Sequence, residues 1–287
     1  MYTPALIPPI SMLSLIQGDR YHLALAHLAL PNQRDSEFYR RFFRQESELG
    51  NFVILDNGAH ELGKGLDPIR LADIALDIRA SEVVLPDRLF WGEDTVDHSL
   101  DAISRLRGVL PSETKYMGVP QGRTLFEWFS CMERLIDLGA TSIGISKDYE
   151  IWEGGLMFLV ALVPAGIEVH LLGFGRQPEK LFTASNEKYR SKIRGTDSAK
   201  PIIFAMAGLR YDQDIARWPT YCKRPGNYFD RIFNPRDVQL YKDLVHNIGM
   251  YYRHYRPDDG INPEEVVQRL PWDISLYVED KTVVDPT

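Results

Sequence analysis

Asp56, Asp87 and Asp197 each close a short apolar or β-branched run, in FVILD, EVVLPD and KIRGTD. A lone aspartate after such a run is usually a helix cap or turn former, because its short carboxylate reaches nearby backbone N–H groups. Three on separate runs, accompanied by the amide of Gln121 and by Gly144 and Gly173 at the ends of others, exceed what capping requires. Carboxylates alone support several chemistries. They could hold a hard cation, cleave a glycoside as an acid and nucleophile pair, or attack a sugar C1′ directly. The histidines that a zinc or iron hydrolase would use do not form an H-x-H or H-E-x-x-H set. His27 and His170 fall within apolar runs, and His60 follows one. The amide of Gln121 offers both a donor and an acceptor, which suits the edge of a nucleobase.

Residues of this kind need a scaffold that brings run ends together. The runs are MLSLI (12–16), YHLALAHL (21–28), FVILDN (52–57), EVVLPD (82–87), KYMGVPQ (115–121), TSIGIS (141–146), EVHLLGFG (168–175) and KIRGTD (192–197). Helical spacing fills 34–49, 67–79, 95–108, 124–138 and 152–163 between them. Strand, helix, strand at this rhythm predicts repeated βα units around a parallel sheet. Eight strands fit a (β/α)8 TIM-type barrel, whose carboxyl-terminal strand ends form one mouth. An open doubly wound sheet is the rival, but no G-x-G-x-x-G follows the early strands. The expected division is a barrel over 1–200 and a C-terminal helical extension, packed on it, over 201–287. Within the extension, 235–256 reads as an amphipathic helix with Val238, Leu240, Tyr241, Leu244, Val245 and Ile248 on its apolar face.

The 287 residues, 44% hydrophobic and 25% charged, have the composition of a globular protein large enough for a full core. No apolar run is long enough to span a bilayer, and the N-terminus lacks a signal-peptide layout, so the expectation is a cytoplasmic protein without a membrane partner. Two cysteines, Cys131 and Cys222, exclude a disulfide framework or a cysteine-rich zinc module. A net charge of −7 argues against a general nucleic-acid coat, although a local basic face would serve an enzyme. Lys188, Arg190, Lys192, Arg194 and Lys200 are such a stretch, or else a solvated surface.

In chain order, D-N-G-A-H-E (56–61), V-V-L-P-D (83–87), G-V-P-Q-G (118–122), I-G-I-S (143–146), L-L-G-F-G (171–175) and G-T-D-S (195–198) resemble a known signature series. It is that of the tRNA-guanine (queuine) transglycosylases, and more closely of their short phage and bacterial relatives that insert 7-deazaguanines into DNA. The likeness runs over residues 10–255 and implies a (β/α)8 barrel. It implies Asp197 as the nucleophile on C1′ and Asp56 as the general acid and base. Asp87 would accept from N1–H and the exocyclic amine of guanine, Gln121 and the Gly144 backbone would read the carbonyl edge, and His60 and Leu172, next to Gly173, would stack on the base. The activity implied is exchange of guanine in DNA for a 7-deazaguanine such as preQ0, protecting phage DNA from restriction in the host bacterial cytoplasm.

The departures from the family pattern carry information. His60 and Glu61 stand where D-S-G-G-F-Q has an aromatic and an amide. The tRNA enzymes hold a structural zinc on three cysteines and a histidine. Here His246 matches the histidine and only Cys222 remains as a partner, so no zinc or other cofactor is expected. Lys147 follows I-G-I-S where relatives that use an aminomethyl base carry an acid, which predicts a neutral 7-substituent. The expected partners are DNA, guanine and the 7-deazaguanine, with a homodimer left open. Trp91, Arg176, Arg194 and Arg210 are candidates, by chemistry alone, for contacts to DNA. The same exchange on tRNA is the near alternative. A non-catalytic nucleic-acid-binding barrel is the alternative of another class.

Overall fold

The computed structural model describes residues 3–151, 155–174, 189, 191–210, 224–232, 234, 237–255 and 262–270. Eight strands alternate with helices: β1 (Thr3–Leu6), β2 (Tyr21–Leu25), β3 (Phe52–Asp56), β4 (Glu82–Val84), β5 (Lys115–Gly118), β6 (Ser142–Ser146), β7 (Glu168–Leu172) and β8 (Ile193–Ser198). They lie in one parallel sheet in the order β1-β8-β7-β6-β5-β4-β3-β2. The two ends of that order, β1 and β2, touch without a hydrogen-bonded ladder, so the sheet curls into a nearly closed (β/α)8 barrel.

The helices are α1 (Ser36–Glu48), α2 (Ala59–Leu62), α3 (Pro68–Ile78), α4 (Gly92–Leu106), α5 (Leu125–Asp137), α6 (Gly155–Leu162), α7 (Lys200–Met206), α8 (Val238–Tyr255) and α9 (Pro263–Gln268). Local chemistry sets their starts. Asp67 caps α3 through the Ile69 and Arg70 amides with Pro68 at the first helical position, and Thr124 caps α5 through Glu127 N. Each amphipathic helix turns its apolar stripe inward. In α5 that stripe is Trp128, Cys131, Met132 and Leu135, all buried.

Seven of the eight expected strands form where the runs predict them. The first does not. MLSLI lies in a 3-10 segment, Ile10–Ile16, and the strand that pairs with β8 is Thr3–Leu6. A short apolar run cannot be told from a buried helical turn by periodicity alone, and Pro4 disguises the true strand. Its missing N–H is tolerated because β1 ends the ladder order and pairs on one side only.

α7 follows β8 directly, and α8 packs against α7 and β1. Buried tyrosine hydroxyls tie this region to β1 and its continuation: Tyr228 donates to the Ile7 carbonyl at 2.7 Å and Tyr251 to that of Ala5 at 3.3 Å. No helix among the described residues is long and apolar enough to cross a membrane.

Candidate active site

The carboxyl-terminal strand ends surround a cavity of about 620 Å³, lined among others by Asp56, Asp87, Gln121, Leu172, Gly173 and Asp197. Strand register places the outer two aspartates: Asp56 closes β3 opposite Leu25, and Asp197 sits in β8 opposite Ala5. Asp87 reaches the mouth differently. The ladder after β4 continues only through Leu85 N to Met117 O, and Pro86 has no N–H with which to extend it. The ladder therefore ends there, and Asp87 lines the cavity from the irregular segment that follows β4.

Asp87 is buried and held by two amides. Asn57 Nδ2 donates to its Oδ1 at 2.8 Å and Gln121 Nε2 to its Oδ2 at 2.7 Å. Both amides are themselves fixed. Asn57 Oδ1 accepts from Ala59 N, the first residue of α2, and its Nδ2 also reaches the Leu85 carbonyl. Gln121 Oε1 accepts from Phe90 N at 3.0 Å and from the Tyr149 hydroxyl at 2.8 Å. The acceptor end of Gln121 is thus occupied, and only an N–H remains for a ligand. Burial pushes the Asp87 carboxyl up to about 6, against the relief that Asn57 and Gln121 provide.

Asp197 ends a buried chain of polar groups. Its Oδ1 accepts from Gly173 N and from His170 Nε2, each at 3.0 Å, so neither bond uses Oδ2. His170 Nδ1 faces the Tyr21 hydroxyl at 2.7 Å, and Arg194 Nε donates to that oxygen at 3.2 Å. Arg194 can only donate and a carboxylate can only accept, so Arg194 donates to Tyr21 and Nε2–H to Asp197, while the Tyr21 hydroxyl and Nδ1 share one proton between them. Two glycines make room. A Cβ on Gly195 would lie 2.8 Å from the Tyr21 ring, and Gly173 (φ 67°) adopts the left-handed conformation that aims its N–H at Asp197.

Asp56 has a third environment. Its Oδ2 accepts from Gly58 N at 2.8 Å, a turn that Gly58 permits with φ 77°. Burial is the largest influence on its carboxyl, followed by the charge of Glu61, and together with Asp87 and Asp197 these raise it to about 8. At neutral pH Asp56 is therefore mainly protonated while Asp87 is mainly ionised. Two neighbouring carboxyls with separated proton affinities have the form of an acid and an anchor.

The other expected site residues distribute unevenly. His60, Leu172, Gly173 and Lys147 line the cavity. Gly144 does not; a Cβ there would lie 2.8 Å from Leu172 Cδ1, so its role is to let Leu172 close over β6. Glu61, where the family carries an amide, pairs instead with Arg224 at 2.6 Å and lies 3.8 Å from His27. Arg194 sits at the other end of the barrel from Asp197. It is half-buried near the amino-terminal strand ends, ion-paired to Glu82 and to Glu168 and laid over the Phe52 ring, because β8 enters the barrel there and leaves it at Asp197. Arg210 is also tied down, to buried Asp243 at 3.3 Å. Lys192 of the basic stretch turns to the Val163 carbonyl. Arg176, Lys188, Arg190 and Cys222 lie outside the described residues. Sequence reasoning did not find Tyr21, Asn57, Tyr149 or Arg224. One signal for the polar chain was present: a histidine inside the buried run EVHLL needs partners on both nitrogens.

No protein-family model matches the chain, and no curated protein matches it.

Proposed function

We propose that the chain exchanges guanine in DNA for a 7-deazaguanine through a covalent bond between Asp197 and the sugar. The observation that carries this reading is three aspartates at one cavity in three different environments: one protonated, one clamped by amides and one aligned by a polar chain. In the first half of the reaction Asp197 Oδ2 bonds to C1′ and the C1′–N9 bond breaks. The electron pair leaves with the base, and protonated Asp56 supplies the proton that neutralises it. In the second half the N9–H of the incoming base returns a proton to Asp56 and N9 attacks C1′. The ester bond then breaks and the Asp197 carboxylate is restored. Protons and charge balance without a redox partner.

Asp87 supplies selectivity. Each oxygen accepts one amide bond and keeps lone pairs for the N1–H and 2-amino group that guanine presents side by side. Adenine would leave those acceptors facing its bare N1, which is costly in a buried site. DNA is favoured over tRNA because Cys131 is buried on α5, so the cysteine cluster of the tRNA enzymes has at most Cys222.

The test is incorporation of radiolabelled guanine into DNA and, separately, into tRNA, with nitrile-bearing and aminomethyl-bearing deazaguanines as competitors. Label is expected in DNA, with the nitrile base the better competitor beside Lys147. Asp197→Ala is expected to abolish exchange by at least about a thousandfold, and a denatured wild-type reaction should yield a protein–DNA adduct on the Asp197 peptide. Label in tRNA alone overturns the DNA assignment. Full exchange by Asp197→Ala overturns the mechanism.

A further inference from the structure

Arg88 to Trp91, between Asp87 and the start of α4, have no role in the chemistry above apart from Leu89, which lines the cavity, yet the protein holds them at a cost. Phe90 has φ 66°, a left-handed conformation that is a genuine outlier for a bulky residue. What holds it there is the base site itself: its N–H is bound by Gln121 Oε1, and its ring meets the Tyr149 ring edge-on at 6.2 Å. The strained residue is also 44% exposed, as is Trp91 beside it. Two guanidiniums approach the Trp91 indole ring, Arg88 at 5.2 Å and Arg123 at 3.8 Å from its centroid. Arg88 is paired with Asp94, whereas Arg123 has no ion pair among the described residues. Phe126, in the first turn of α5, is 80% exposed.

Isolated surface aromatics are ordinary. This group differs: it combines strained backbone, two consecutive exposed rings and a stacked cation on the segments that follow β4 and β5, beside the cavity-lining Leu89 and Gln121 in sequence, with Phe126 exposed at the start of α5. Aromatic faces and guanidinium planes stack on nucleobases of any sequence, and a free arginine adds attraction to phosphate. Trp91 lies four positions beyond Asp87, a reach of at most about 14 Å. A strand whose guanine sits on Asp87 therefore has its neighbouring nucleotides within range of these rings.

We propose that Trp91, Arg123, Phe126 and the strained Phe90 form a platform for the unpaired DNA strand flanking the nucleotide in the cavity. It rests on the base-exchange reading for its ligand. Because Gln121 holds both Asp87 and Phe90, the platform and the base-reading carboxylate are set by one side chain.

The experiment measures fluorescence anisotropy of a labelled single-stranded deoxyoligonucleotide containing one guanine, with the matching RNA as comparison. It uses wild type and the variants Trp91→Ala, Arg123→Ala, Arg123→Lys and Phe126→Ala, each checked by thermal melting. Trp91→Ala and Phe126→Ala are expected to weaken DNA binding about tenfold, Arg123→Ala similarly, and Arg123→Lys less. Free guanine binding by calorimetry should stay within twofold, since none of these side chains lines the cavity. DNA should quench indole emission in wild type, and that component should vanish in Trp91→Phe. DNA binding unchanged in the alanine variants overturns the platform, as does a parallel loss of guanine binding or a loss confined to RNA. Variants that lose DNA affinity while wild type fails to exchange guanine would leave the platform standing and remove the base-exchange reading instead.

Discussion

Asp56 and Asp87 are chemically identical, and position alone separates them. With Asp87 raised to about 6 and Asp56 to about 8, the proposed base exchange would need the first ionised for recognition and the second protonated for departure of the base. The first half-reaction is therefore expected to rise with pH through about 6 and fall through about 8. Single-turnover adduct formation across pH 5 to 9 reads both limbs, and a flat profile would sink the assignment of these two roles. Tyr21 acts one residue removed from the reacting atoms. Tyr21→Phe leaves His170 Nδ1 buried without its hydrogen-bond partner, which should cost about 1–3 kcal/mol of stability. It should also lower kcat, with KM for the base unchanged and Asp56's alkaline limb in place. A variant that loses only stability would reduce the polar chain to packing.

At the scale of elements, β8 is the most demanding strand, because it must pass close to two others on its way to Asp197. A Cβ on Gly195 would lie 2.4 Å from the Thr3 carbonyl and 2.8 Å from the Tyr21 ring. Gly195→Ala is expected to cost about 1–3 kcal/mol or more in denaturant unfolding, since a backbone carbonyl cannot swing aside. If it proved neutral, β1 and β8 would have to be more loosely joined than their register implies. Elements of this kind were legible in the sequence where a run was long and bounded, as FVILD and EVHLL were. β1 was not, because Pro4 reads as a strand breaker and only the edge of the ladder order excuses it. For the site, run ends identified the three aspartates and Gln121. Their partners stayed hidden because Asn57, Tyr149 and Tyr21 meet them through long-range contacts that local patterns do not carry. Arg194 shows the same limit: its charge was readable, but the end of the barrel to which it belongs was not.

At the scale of the molecule, the mouth stores destabilisation that the rest of the fold must offset. The Asp56 carboxyl lies above its ordinary value, so the native state binds its proton more tightly than the unfolded chain does. The penalty is absent below about pH 4, where both states are neutral, and grows to its full size near pH 8. Asp56→Asn is thus expected to raise Tm at pH 8 by about 2–4 °C for each kcal/mol relieved, with no gain at pH 4. Equal gains at both pH values would refute the electrostatic origin. A last consequence concerns the unladdered joint between β1 and β2. Around the ring the strands run β8, β1, β2, β3, so this joint falls between the strand bearing Asp197 and the strand bearing Asp56. The barrel is a split collar, and its gap lies between the strands that carry two of the three mouth carboxylates. Spreading the collar at that joint would disturb side-chain contacts but would sever no hydrogen bond of the described sheet.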